Sequence, residues 1–98
     1  MYTATMRYVF KSDFFMEGCR IWNDTVMIKA IGTPGLVRMQ LLTGKSEALA
    51  VGTWEDKSFA EQFMQSGVFK VLLEKLSGML ISDPIPEQWN LTYFYGSK

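Results

Sequence analysis

The chain has 98 residues, 48% hydrophobic and 14% aromatic, which is enough for one core and is read here as one domain over residues 1–98. Ten basic residues balance ten acidic ones with no basic block, which excludes nucleic acid as the main partner because nothing grips a phosphate backbone. The absence of His and the lone Cys19 exclude His-ligated zinc chemistry, a Ser-His-Asp triad and an internal disulfide.

Tyr2 to Phe10 alternates, with Tyr2, Ala4, Met6, Tyr8 and Phe10 on one face and Thr3, Thr5, Arg7 and Val9 on the other, the period of a strand. It is not the continuous apolar stretch of a signal peptide, and no run approaches the ~20 apolar residues of a membrane span. With one cysteine, the expectation is a cytoplasmic protein. Ser12 or Asp13 is placed to cap a helix whose apolar stripe is Phe15, Cys19, Trp22 and Val26, widened by Phe14, Gly18 and Ile21. Gly32-Thr33-Pro34-Gly35 stops it.

Leu36 to Leu42 and Glu47 to Trp54 read as a hairpin of two strands joined by Thr43 to Ser46. The turn contains Gly44-Lys45-Ser46, the end of a phosphate-binding loop, but Met39 stands where the first Gly of that pattern belongs. Strands flank it on both sides, whereas a phosphate loop opens a helix, so it is read as a turn. Ser58 and Glu61 have capping-box spacing at the start of a second helical region. Gly67 divides that region into a short helix and a longer one from Val68 to about Leu80. Ser82 to Pro86 is loop because of its two prolines, and Trp89 to Tyr95 alternates as the last strand.

The order strand, helix, strand, strand, helix, strand is the ferredoxin-like α+β arrangement, with an antiparallel four-stranded sheet and both helices on one face. The other face should then be polar. Instead, Glu47 to Trp54 carries Leu49 and Val51 on one side and Ala48, Ala50, Gly52 and Trp54 on the other. The preceding strand sets Val37, Met39 and Leu41 against Leu36, Arg38, Gln40 and Leu42. Apolar residues on both faces predict a homodimer, sheet to sheet.

Within that fold, an RNA-recognition module needs aromatics and a basic residue on the third strand, and a metal chaperone needs paired cysteines. Glu47 to Trp54 has no basic residue and one aromatic, and Cys19 is alone and read as an apolar core residue.

Three stretches carry a resemblance: Pro34-Gly35-Leu36 entering a strand, Ala50 to Lys57 entering a helix, and Phe63 to Lys70. Together they resemble the antibiotic biosynthesis monooxygenase family, over nearly the whole chain in element order. The resemblance implies a dimeric α+β barrel. One branch of that family degrades haem with a Trp and an iron-ligating His downstream of the strand-ending Trp. Here Phe63 and Leu73 occupy those places, the first strand lacks that branch's Asn, and Leu cannot ligate iron, so the likeness does not extend to haem.

The other branch oxidises quinols and polyketide phenols with O₂ and no cofactor, which requires a dry pocket and polar groups that favour a substrate anion. On that reading Trp54, Ala50 and Gly52 line a pocket for a flat ring, with Phe63 and Leu73 at the places just compared. Arg7 and Arg38 stabilise an enolate or phenolate, Thr3 and Thr5 orient it, and Tyr8, Tyr93 or Tyr95 relays a proton. The catalytic residues and the substrate are not identified by the sequence. The plainer reading of the same residues is that Trp54 is core and the arginines are solvated or form ion pairs. The alternative function is a non-catalytic dimer that binds a small apolar molecule.

Overall fold

The computed structural model describes residues 1–96. Strand β1 (Tyr2–Val9) leads through a 3₁₀ turn (Ser12–Phe14) into helix α1 (Phe15–Trp22), a π-helical stretch (Asn23–Met27) and helix α2 (Ile28–Ala30). Strands β2 (Leu36–Thr43) and β3 (Glu47–Trp54) follow, then helices α3 (Lys57–Met64) and α4 (Val68–Lys75) and strand β4 (Ile85–Asn90). The sheet is antiparallel throughout, in the order β2-β3-β1-β4, which is the ferredoxin-like α+β fold. No helix among the described residues is long and apolar enough to cross a membrane.

Hairpin β2–β3 closes where the sequence predicts, and the Gly44 N–H donates to the Glu47 carbonyl at 2.8 Å. The first helical rod ends where the Thr33 N–H and hydroxyl both donate to the Ala30 carbonyl, at 3.0 and 2.7 Å. Gly67 separates α3 from α4 with φ +85°, a conformation that costs other residues a clash at Cβ.

Four boundaries differ from expectation. Neither Ser12 nor Asp13 caps the first helix, which opens with 3₁₀ winding after Lys11 and has no side-chain cap. The cap of α3 is Asp56, whose carboxylate accepts from the Ser58 N–H and hydroxyl at 3.1 and 2.7 Å, so the Ser58–Glu61 spacing is not the capping device. Helix α4 stops at Lys75 rather than near Leu80, because Leu80 is recruited into a bridge with Phe10. Strand β4 begins at Ile85 and ends at Asn90, five residues short of Tyr95. Pro86 is tolerated because β4 is an edge strand, where a missing N–H breaks no second ladder.

One face of the sheet carries the core. Tyr8, Ala48, Ala50 and Trp54 meet Trp22 and Val26 from the first rod, Ala60 and Phe63 from α3, and Leu72 and Leu76 at the end of the chain's last helix. A register shift between Leu36 and Arg38 changes one expected face. Leu36 joins Met39 and Leu41 against the core, and Val37 goes to the far side with Arg38.

Candidate functional site

Two of the spaces that adjoin the helix-covered face of the sheet lie beside Trp54 and Tyr8. The inner one is a cavity of about 40 Å³. It lies among Ala50, Gly52 and Trp54 of β3, Met6 of β1, Trp22 of α1, and Phe63 and Phe69. That volume suits about one water and not an aromatic ring. A Cβ placed on Gly52 would lie 3.1 Å from Met39 Cε and 3.2 Å from Trp54 Nε1. The room expected in front of the small β3 residues is therefore occupied by Met39 and by Trp54 itself. Trp54 is 2% exposed and packs on Phe63 at 5.3 Å between centroids, and Phe63 meets Phe69 edge-on at 5.9 Å.

The outer space is a groove of about 830 Å³, within the range of small-molecule sites. Helix α4 and its end supply one wall through Phe69, Leu72, Leu73 and Leu76, and the segment from Ser77 to Pro86 supplies the other. Met6 and Tyr8 lie at its base on β1. Met6, Phe69 and Pro86 border both spaces, so only this short wall divides them. Among the described residues, Asp83 is the one ionisable side chain besides Tyr8 on the groove, and no Lys or Arg lines either space.

Tyr8 sits opposite Ala48, whose small side chain leaves space for the ring, and stacks on Phe10 at 6.2 Å. Its hydroxyl is buried without a hydrogen-bond partner, as are the Trp22 indole N–H and the Thr25 hydroxyl. Burial pushes the Tyr8 phenol far above its ordinary range, and proximity to Trp22 opposes this only in part. The Trp22 indole N–H lies near the phenol oxygen but outside hydrogen-bond geometry. Burial also pushes the Cys19 thiol up, which keeps it protonated and poorly nucleophilic. Among the described residues, no three His, Cys, Asp or Glu side chains are grouped to hold a metal.

The structure gathers only part of the expected pocket. Trp54, Ala50, Gly52 and Phe63 stand around the inner cavity, and Tyr8 and Leu73 border the groove. Arg7, Arg38, Thr3 and Thr5 stand on the opposite face of the sheet, because odd and even positions of a strand point to opposite sides. Arg7 is paired with Glu47, and the Arg38 guanidinium lies 5.2 Å from the centre of the Phe94 ring. Thr3 and Thr53 share a hydrogen bond of 3.2 Å, and Trp89 Nε1 donates to Thr5 Oγ1 at 3.2 Å. A backbone sheet thus separates the arginines from Trp54. Tyr93 and Tyr95 follow the end of β4 and are 91% and 96% exposed. The residues missed by sequence reasoning are Trp22, Phe69, Leu72, Leu76 and Asp83. Of these only Trp22 is singled out by the sequence, as a member of the first helix's apolar stripe, and Phe69 falls within the Phe63 to Lys70 stretch.

No protein-family model and no curated protein matches the sequence. Solved structures do match along nearly the whole chain. A proposed antibiotic biosynthesis monooxygenase from Nitrosomonas europaea aligns over 95% of this chain and 100% of its own, with TM-score 0.83 and 11% identity. A mutant of SnoaB, a cofactor-independent oxygenase from Streptomyces nogalater, aligns over 98% and 97%, with TM-score 0.78 and 16% identity. A proposed antibiotic biosynthesis monooxygenase from Caulobacter crescentus aligns over 94% and 90%, with TM-score 0.79 and 12% identity. At these identities the likeness is one of fold.

Proposed function

We propose that this chain is a cofactor-independent monooxygenase of the antibiotic biosynthesis type, acting on a small aromatic or quinol held in the groove between α4 and the segment from Ser77 to Pro86. The observation that carries the reading is this 830 Å³, largely apolar groove, with a buried phenol at its base, in a fold shared along 98% of the chain with a cofactor-independent oxygenase. An electron-rich ring that loses a proton becomes able to pass an electron to O₂ without help from metal or flavin. A ring-flanked CH₂ then becomes C=O, and the second oxygen atom leaves as water with both hydrogens. A ring seated against Phe69, Leu72 and Leu76 would displace water from that wall, which would strengthen any hydrogen bond to the substrate anion. Asp83 is the carboxylate placed to take the substrate proton. Tyr8, kept neutral by burial, serves as a donor to the anion rather than as a proton acceptor.

The test is O₂ uptake by the purified protein with a panel of hydroquinones and anthrone-like phenols. A substrate that turns over with wild type and at least tenfold more slowly with Asp83→Asn supports the reading, since a positioned base is worth on the order of a hundredfold. No uptake across the panel overturns it.

A specific observation favours the second reading, a binding protein without catalysis: no cationic side chain among the described residues faces either space. A small apolar ligand that raises the melting temperature while no O₂ is consumed is the expected result in that case.

The same proposal includes a homodimer. The sheet face away from the helices bears Val37, Leu42, Ile85 and Trp89, each at least 44% exposed in the single chain. A second copy laid on that face would cover them.

A further inference from the structure

We infer that the Tyr8 hydroxyl and the Trp22 indole N–H together form a two-donor site for one acceptor oxygen, a ketone or phenolate, on a flat apolar ring seated in the groove. The inference rests on the small-aromatic reading and adds to it the group of the ligand that is recognised. Both polar atoms are buried without a partner, in residues 1% exposed, and an orphaned buried donor forfeits the hydrogen bond it made to water. The indole N–H lies near enough to the phenol oxygen to favour its ionised form, so one acceptor oxygen placed beside both would take a bond from each.

Their positions agree. Tyr8 borders the groove and Trp22 the inner cavity, and Met6 borders both. Met6 is unbranched and only partly buried, so of the side chains between the two spaces it is the one whose rotamer would change to let a ligand oxygen reach both donors. Trp22 is the last residue of α1, immediately before the π-helical stretch Asn23–Met27. Such stretches cost backbone hydrogen-bond quality and occur often at functional sites. Both donors are neutral, and no Lys or Arg among the described residues lines either space. The site therefore favours a neutral carbonyl, or a phenol oxygen that gains charge only as it loses its proton in the proposed reaction, over a carboxylate that would arrive with a full charge.

The test uses 1-tetralone and tetralin, which differ by a C=O in place of a CH₂ and are not substrates for the proposed oxidation. Binding to the intact protein is measured by tryptophan fluorescence under argon. Wild type is expected to bind 1-tetralone about tenfold more tightly than tetralin, the worth of one to two neutral hydrogen bonds. Tyr8→Phe is expected to reduce that preference to about twofold or less, with tetralin affinity and melting temperature maintained or raised, because the variant removes only an unpaired oxygen. Should Tyr8→Phe fold poorly, the infrared C=O stretch of bound 1-tetralone decides. It should lie at lower wavenumber on wild type than on Trp22→Phe. Equal affinity of wild type for the two ligands, binding of neither, an unchanged preference in a folded Tyr8→Phe or an unshifted C=O band each overturns the inference. A silent O₂ assay combined with an intact ketone preference would instead remove the oxygenase reading and leave the two-donor site.

Discussion

Gly18 shows how tightly single residues are held around the first helix. A Cβ at this position would lie 2.3 Å from Phe10 Cε1. Phe10 is 1% exposed, stacked on Tyr8 and edge-on to Phe15, so its ring has nowhere to retreat. Gly18→Ala is therefore expected to destabilise by about 1–3 kcal/mol, the cost of overpacking, measured by urea unfolding. Gly67→Ala meets no atom within 4 Å, yet the backbone sits at φ +85°. Its cost, roughly 1–2 kcal/mol, comes from the left-handed conformation alone. Equal stability of Gly18→Ala and wild type would mean that Phe10 is far less constrained than its contacts indicate. Trp54 belongs to the same scale. Its replacement by Ala would cost about 3–5 kcal/mol as a core truncation, so a loss of activity in that variant would not identify a site.

Among the elements, α3 depends on a cap that sequence spacing located at the wrong pair. Asp56 accepts from Ser58 side chain and backbone, which lowers its pKa below the ordinary 3.8, the side-chain bond contributing most. A depressed carboxylate pKa stabilises the fold above the ordinary value, and that contribution is lost as pH falls through the folded-state value. Asp56→Ala should accordingly lower the melting temperature at neutral pH, and the gap to wild type should shrink in acid, as thermal melts at both pH values will show. The hairpin is the contrasting case. Lys45 is exposed in a turn closed by backbone hydrogen bonds, so Lys45→Ala should change stability by no more than ~0.5 kcal/mol. Mg-ATP should leave the melting temperature unmoved, and a shift of several degrees at millimolar nucleotide would show that the turn binds phosphate after all.

For the molecule as a whole, one face of the sheet is packed by helices, and among the described residues only Leu91 and Phe94 partly cover the other. That second face mixes Thr3, Thr5, Thr53 and the Arg7–Glu47 pair with Val51, Leu42, Ile85 and Trp89. If a second copy covers it, light scattering at micromolar concentration will give twice the chain mass of 11.2 kDa. Val51→Lys, on a central strand of that face, should then halve the mass because like charges would be buried against each other across the interface. A wild-type mass of one chain across that range would refute the dimer. Added haem is expected to show no axial coordination, since Leu73, 45% exposed on α4, has no lone pair to offer iron. A saturable one-to-one Soret shift is the contrary result.

Alternation in Tyr2 to Phe10 and Glu47 to Trp54, the helical stripe through Trp22 and Val26, and the breaks at Gly67 and the hairpin turn sufficed to order the elements, because each is a local periodic signal that tertiary contacts reinforce. The same alternation already implied that Arg7 and Thr5 cannot share a face with Tyr8, since one-residue steps along a strand reverse the side. What depended on the folded chain was everything set by non-local contact. The Phe10–Leu80 bridge ended α4 early, pairing with β1 drew Ile85 and Pro86 into an edge strand, and the shift after Leu36 exchanged the faces of two neighbours. The space before Gly52 closed because Met39 and Trp54 happened to meet there, and the groove opened because the segment after α4 stands off from it. Cavities are differences between packed volumes of residues distant in sequence, so no local pattern encodes them, whereas strands and helices are repeats of a local geometry and are written residue by residue.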